Sequence, residues 1–142
     1  MAQKNRLTLQ IDGFADREVA SVTYSFSQAT DKDNQPAGIP RGGRISLRVK
    51  AEDDGNVELL KWMTGKALVK NGSLTFMTAK DIDKKMKSIE FEDAYCVEFV
   101  EHWEDVPEGK KLDFPLAHWE DITIVCRKIV NGPITYENEW QQ

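Results

Sequence analysis

A period of two runs through this chain. Leu7, Leu9 and Ile11 alternate with Arg6, Thr8 and Gln10. Val22, Tyr24 and Phe26 alternate with Ser21, Thr23, Ser25 and Ser27, and Ile45, Leu47 and Val49 alternate with Arg44, Ser46, Arg48 and Lys50. Successive side chains of a strand point to opposite faces, so each stretch carries one apolar and one polar face. That is the pattern of antiparallel sheet packed on one side and wet on the other. Strands resume at "GSLTFMTAK" from Gly72, continue in "IEFEDAYCVEFVEHW" over 89–103, and end with "WEDITIVCRKIV" over 119–130.

The stretch 89–103 places Ile89, Phe91, Asp93, Tyr95, Val97, Phe99, Glu101 and Trp103 on one face. At roughly 3.3 Å per residue it would span about 50 Å, far beyond a usual strand. It therefore bends at a bulge near Asp93-Ala94 or runs from one sheet into another. Turns fall at Asp12-Gly13, at the sequon-like Asn71-Gly72-Ser73, through Asp81 to Lys85, and at Asn131-Gly132-Pro133. A loop covers 105–115, and a polar tail, "ITYENEW", follows the last strand. One helix is expected before Gly65. Asp53 or Asp54 would accept its first-turn amides, and Gly65 would end it with a positive φ. Val57, Leu59, Leu60, Trp62 and Met63 give it a broad apolar face, and a helix this short must dock on sheet to be stable. The count is seven or eight mostly antiparallel strands and one short helix: a small β-barrel or sandwich.

At 142 residues the chain reads as a single domain spanning 1–142. The net charge is −5 without a basic cluster, which argues against a nucleic-acid partner. "MAQKNRLTLQ" lacks the apolar core of a signal peptide, and no apolar run approaches a transmembrane helix. Cys96 and Cys126 are too few for a disulfide framework and are expected to be reduced.

No catalytic or cofactor set stands out. Cys96 and His102, six residues apart on one strand, would lie about 20 Å from each other, too far for a nucleophile–base pair. Cys96, His102, His118 and Cys126 have no recognised metal-ligand spacing. The "DKD" and "DID" pairs lack the glycine and distal glutamate of a calcium loop and read as solvated turns. The four tryptophans read as core or interface packing. "HWED" occurs at 102–105 and at 118–121, and four residues twice reads as coincidence.

One stretch breaks the pattern. "DKDNQPAGIPRGG", residues 31–43, joins two strands that two to five residues could connect. Together with its flanks, "SFSQATDKDNQPAGIPRGGRISLRV" resembles the segment of type VI secretion tube proteins in which a Gln-x-Thr-Asp stretch, a Pro/Gly loop and an Arg-Gly-Gly separate two strands. "IEFEDAYCVEFVEHW" resembles the Phe-x-Asp-Ala-Tyr-Cys strand of the same proteins. "YENEW" resembles their closing Glu-Asn-x-Trp. The three pieces, in order, are similar to the Bacteroidetes branch of the Hcp (TssD) family.

That resemblance implies a structural subunit that is not an enzyme and carries no cofactor or metal. The implied fold is a phage tail-tube-like β-barrel with one helix, an extended loop over about 29–43 and a tail over about 134–142. Six copies form a ring, and rings stack into a tube inside a contractile sheath. Sheath, spike and baseplate proteins and effectors in the lumen are the implied partners, with no nucleic acid and no membrane insertion. Such a protein assembles in the cytoplasm and leaves by mechanical ejection without a signal peptide. The loop residues Asp31, Asn34, Pro36, Gly38, Pro40, Arg41, Gly42 and Gly43 would make contacts between subunits or rings. Pro36 and Pro40 would lower the entropy cost of an outstretched loop, and Arg41 could pair with a carboxylate of the adjacent ring. Glu137, Asn138 and Trp140 would make the tail's contacts. A small-ligand-binding β-barrel, with the helix and loop as a lid, is the alternative.

Overall fold

The computed structural model describes residues 6–52, 54–66, 68–77, 85–105 and 117–138. In chain order the elements are β1 (Arg6–Ile11), β2 (Arg17–Tyr24), β3 (Arg44–Lys50), α1 (Glu58–Thr64), β4 (Lys70–Met77), β5 (Lys85–Trp103), β6 (His118–Asn131) and β7 (Ile134–Glu137). Neighbouring strands run in the order β3-β2-β1-β4-β5-β6-β7, all antiparallel. The first half of β6 also pairs with β3, from Lys50↔Trp119 to Arg44↔Val125. Six strands thus close into a barrel and β7 adds to the free half of β6, as the mainly-β barrel with one helix expected from the alternation.

Inward-facing residues fill the barrel. Leu9, Ile45, Val49, Leu74, Ile89, Phe91, Ile122, Ile124 and Ile129 are all fully buried. The helix caps this interior: Leu59 and Trp62 are buried, and Trp62 Nε1 donates to the Leu68 carbonyl at 3.0 Å. A packed interior of this kind is the opposite of a ligand-holding cavity.

The 19-residue β5 bends as anticipated, but twice. The ladder with β4 shifts between Lys70 and Gly72, opposite Asp93, which sits in the left-handed region at φ 51. The Asn71 side chain accepts the Asp93 amide at 2.9 Å, so this bulge has a dedicated partner. A second shift lies between Cys96 and Glu98 on the β6 side. Each extra residue moves the inward face by one position. The buried set therefore runs Ile89, Phe91, then Ala94, Cys96, and Phe99 is again partly inside. The single face expected over 89–103 is corrected: Val97 points out, and Cys96 belongs to the core.

Other local expectations change too. The helix starts at Glu58 with Val57 at its N-cap and no side-chain cap. Asp54 Oδ1 instead accepts the Asn56 amide at 2.9 Å, and Asn56 Oδ1 accepts the Glu58 amide at 2.8 Å. Gly65 has φ −71, not a positive φ. The Gly65 amide closes the last turn on the Lys61 carbonyl at 2.9 Å, and a Cβ at this position would crowd Leu68. Val57 and Leu60, assigned to the apolar face, are exposed. Asn71-Gly72-Ser73 lies within β4, not in a turn, and Ile134–Glu137 of the tail forms β7. The strand through Phe26 ends at Tyr24. Asp53, the turn from Asp81 through Lys84, the "DID" pair, most of the 105–115 loop and Trp140 lie outside the described residues.

Candidate functional site: the projecting arm and the tail

Residues 25–41 are exposed without a break, yet they are ordered by hydrogen bonds of their own. Ser27 and Arg41 exchange backbone hydrogen bonds at 2.9 and 2.6 Å, and the Ala37 amide donates to the Ala29 carbonyl at 2.7 Å. Thr30 and Pro36 form a further bridge, where the proline has no N–H to leave unpaired. The Gln28 side chain donates to the Gly38 carbonyl at 2.5 Å. At the tip, Asp31 Oδ1 accepts the amides of Asp33 and Gln35 at 2.8 and 3.1 Å, while Asn34 takes a left-handed φ of 63. Asx geometry of this kind is what aspartate and asparagine supply in turns. The long connection is thus a small two-stranded ribbon, an arm standing off the barrel. Arg41 and Ile39 are exposed on it.

The arm rejoins the barrel at a crowded point. Gly43 has φ +96, and a Cβ there would press on the Cys126 carbonyl and Asn138. A Cβ on Gly42 would overlap the Phe26 ring. Both glycines are therefore required by the backbone they adopt and the space they leave. The Gly43 carbonyl accepts the Cys126 amide at 2.7 Å, just where β6 leaves β3. There the tail arrives: the Asn138 amide donates to the Arg127 carbonyl at 2.7 Å, and Asn138 Nδ2 donates to the Cys126 carbonyl at 2.9 Å and the Gly42 carbonyl at 3.2 Å. Glu137 is held by Arg127, whose Nε also donates to Asp93 at 2.6 Å. Six of the eight loop positions singled out from the sequence, Asp31 through Arg41, lie on the exposed arm; Gly42 and Gly43 form its root beside Asn138.

The reactive side chains go elsewhere. Cys96 and Cys126 are buried and free, and burial pushes their thiols up to about 11 and about 12. The histidines sit at the barrel rim. His102 Nε2 is 3.0 Å from Glu104 and its ring stacks on Trp119; His118 Nε2 is 2.7 Å from Glu101 and its ring tilts against Trp103. The two "HWED" copies therefore face each other across β5 and β6, in register His102↔Trp119 and Trp103↔His118. Arg48 lies over the Trp119 ring at 4.5 Å and forks onto Asp121 at 2.8 and 3.0 Å.

A buried ion pair was not foreseen. Arg17 and Glu120, 103 positions apart, are almost wholly inside the protein and bonded to each other; Arg17 Nη2 also donates to the Lys50 carbonyl at 2.9 Å. Arg17 heads β2 in phase with buried Val19, ahead of a register shift between Val19 and Ser21 that the alternation of Val22, Tyr24 and Phe26 does not reveal. Among the described residues no group of three His, Cys, Asp or Glu side chains is placed to hold a metal ion, and no helix is long and apolar enough to cross a membrane.

Residues 2–141 match the family described as hemolysin coregulated protein Hcp (TssD). Hcp1 from Flavobacterium johnsoniae is 31% identical, with a TM-score of 0.79 over 94% of this chain and 99% of that one. Hcp1 from Salmonella typhimurium shares the fold at 14% identity, with a TM-score of 0.70 over 94% and 95% of the two chains. A chain of the sheath-tube complex of an extracellular contractile injection system does so at 14% identity, with a TM-score of 0.56 over 91% and 89%. No curated protein sequence matches the chain. With a family match over nearly its whole length and a relative of this identity and coverage, the chain belongs to the Hcp (TssD) family of type VI secretion tube proteins.

Proposed function

We propose that six copies of this chain close into a ring, that rings stack through the arm into a tube, and that the tube is driven out by a contracting sheath with effectors in its lumen. The observation that carries this reading is the arm. An unbroken exposed stretch of seventeen residues, 25–41, keeps its own hydrogen bonds and gives the barrel little in return. A long loop held in this way is built for contact beyond its own fold. Asp31, Asn34, Pro36, Gly38, Pro40 and Arg41 are the residues that meet the neighbouring ring, with Gly42 and Gly43 at the root. The exposed cation of Arg41 suits a carboxylate across that interface, and Ile39, 65% exposed, suits an apolar patch. Family membership supports the ring and the tube, and the likeness to a chain of a sheath-tube complex fits a sheath as outer partner. The protein acts as a structural part, without catalysis.

Light scattering of the purified chain at micromolar concentration tests the ring. The expected mass is six times 16.2 kDa, with negative-stain images of rings around an open centre. A folded monomer throughout that concentration range would overturn the reading.

A further inference from the structure

We propose that the C-terminal tail is the positioning device of the arm, with Tyr136 and Asn138 setting the angle at which the ribbon leaves the barrel. Tyr136 sits on β7, its ring against Phe26 with centroids 5.1 Å apart at 70°. Its hydroxyl oxygen accepts the Gly42 amide at 3.0 Å. Its single proton faces Asn138 Oδ1 at 2.8 Å, with the Pro40 carbonyl alongside at 3.2 Å. Asn138 completes the circuit by donating to the Gly42 and Cys126 carbonyls. Among the described residues, the hydrogen bonds from the arm and Gly42 to the rest of the chain all go to these two side chains. Arg127 in turn ties the tail to the β5 bulge through Glu137 and Asp93.

This geometry makes the tail matter at a distance. A ribbon five residues long reaches about 15 Å, so a tilt of about 10° at its base moves the tip by roughly 3 Å. A shift of that size breaks any hydrogen bond the tip makes with a neighbour. The tip needs no help from the tail, because its Asp31 turn is closed by its own amides. The tail fixes where a preformed tip points. The consequence for stacking rests on the proposed ring-to-ring role of the arm, whereas the clasp itself does not.

Amide hydrogen exchange of the full-length chain tests the clasp. In Tyr136→Phe/Asn138→Ala, the Ser27 and Arg41 amides at the base should exchange about fivefold faster or more. Asn34 and Gln35 at the tip and the β1–β4 ladder should keep parental rates. Gly42→Ala, which pushes Phe26 out of its place against Tyr136 and disturbs the clasp from the arm's side, should give the same pattern with both tail side chains still present. Parental exchange at Ser27 and Arg41 in both variants overturns the proposal, as does acceleration throughout the barrel, which would make the tail a general brace. Tube formation is read separately by microscopy. A loosened base with tubes lost supports both clasp and ring contact; a loosened base with tubes intact supports the clasp and removes the arm from stacking.

Discussion

Cys96 and Cys126 have been drawn into the barrel, where the thiolate is the disfavoured form and the thiol is raised to about 11 and about 12. In the unfolded chain they titrate near the ordinary value of about 8.5. A raised folded value contributes stability that is whole below the unfolded value and is lost as pH climbs toward the folded one. The window therefore opens near pH 9, with a slope of about 1.4 kcal/mol per pH unit for each thiol. Urea unfolding of the parent should steepen its decline from pH 9 to 11, and Cys96→Ala/Cys126→Ala should decline less. Parallel curves would refute this. The Arg17–Glu120 pair makes a second residue-scale prediction. Glu120→Ala should cost about 3–5 kcal/mol in denaturant titration, because it strands a buried guanidinium. Arg17→Met/Glu120→Leu should cost far less, since it removes both charges together; equal losses would show that the pair's value is not electrostatic. The alternation read from Val22 to Phe26 gave no sign of Arg17, because a register shift between Val19 and Ser21 changes the inward phase of β2, and a partner 103 positions away leaves no trace in a local pattern.

At the scale of elements, legibility followed the regularity of the backbone. β1 and β3 keep strict alternation, and their buried residues, Leu9, Ile11, Ile45, Leu47 and Val49, are those the period marked. β5 breaks phase twice, so strict alternation set Tyr95 and Val97 on the face of Ile89 and Phe91, where the structure has Ala94 and Cys96. Length alone said that 89–103 could not run straight and left open a bulge near Asp93-Ala94 or a passage between sheets; the structure has the bulge and adds a second shift at Val97 that the sequence did not mark. The helix start was misread because Asn56 and Asp54 build the turn before the helix, not its cap, whereas the end at Gly65 was placed correctly but with the wrong φ. The two "HWED" copies read as coincidence because only cross-strand register decides that they meet. The arm's existence was legible from its excess length, and its ribbon from nothing short of the fold. Because that ribbon bonds mainly to itself, replacing Asn34–Pro40 with Gly-Gly should leave the melting temperature and the single ring nearly unchanged. Arg41→Glu should do the same, since an exposed charge contributes little to the fold. Both variants should fail to stack into tubes, since small losses repeat around a ring. Tubes of parental length from the shortened chain would refute the contact.

For the whole molecule, closure depends on β6. It pairs with β5 along its length, gives its first half to β3 and its second half to β7, and receives Gly43 and Asn138 at the changeover. The chain is made from its N-terminus, so β3 emerges long before residues 118–131 exist. Through that interval β3 presents an unpaired row of amides and carbonyls, the kind of edge that recruits stray strands. Its outward positions are Arg44, Ser46, Arg48 and Lys50, and like charges repel a second nascent copy laid against the same edge. The cations of β3 thus have two employments in sequence. They guard an orphan edge during synthesis, and when β6 arrives, Arg48 exchanges that vigil for its fork on Asp121.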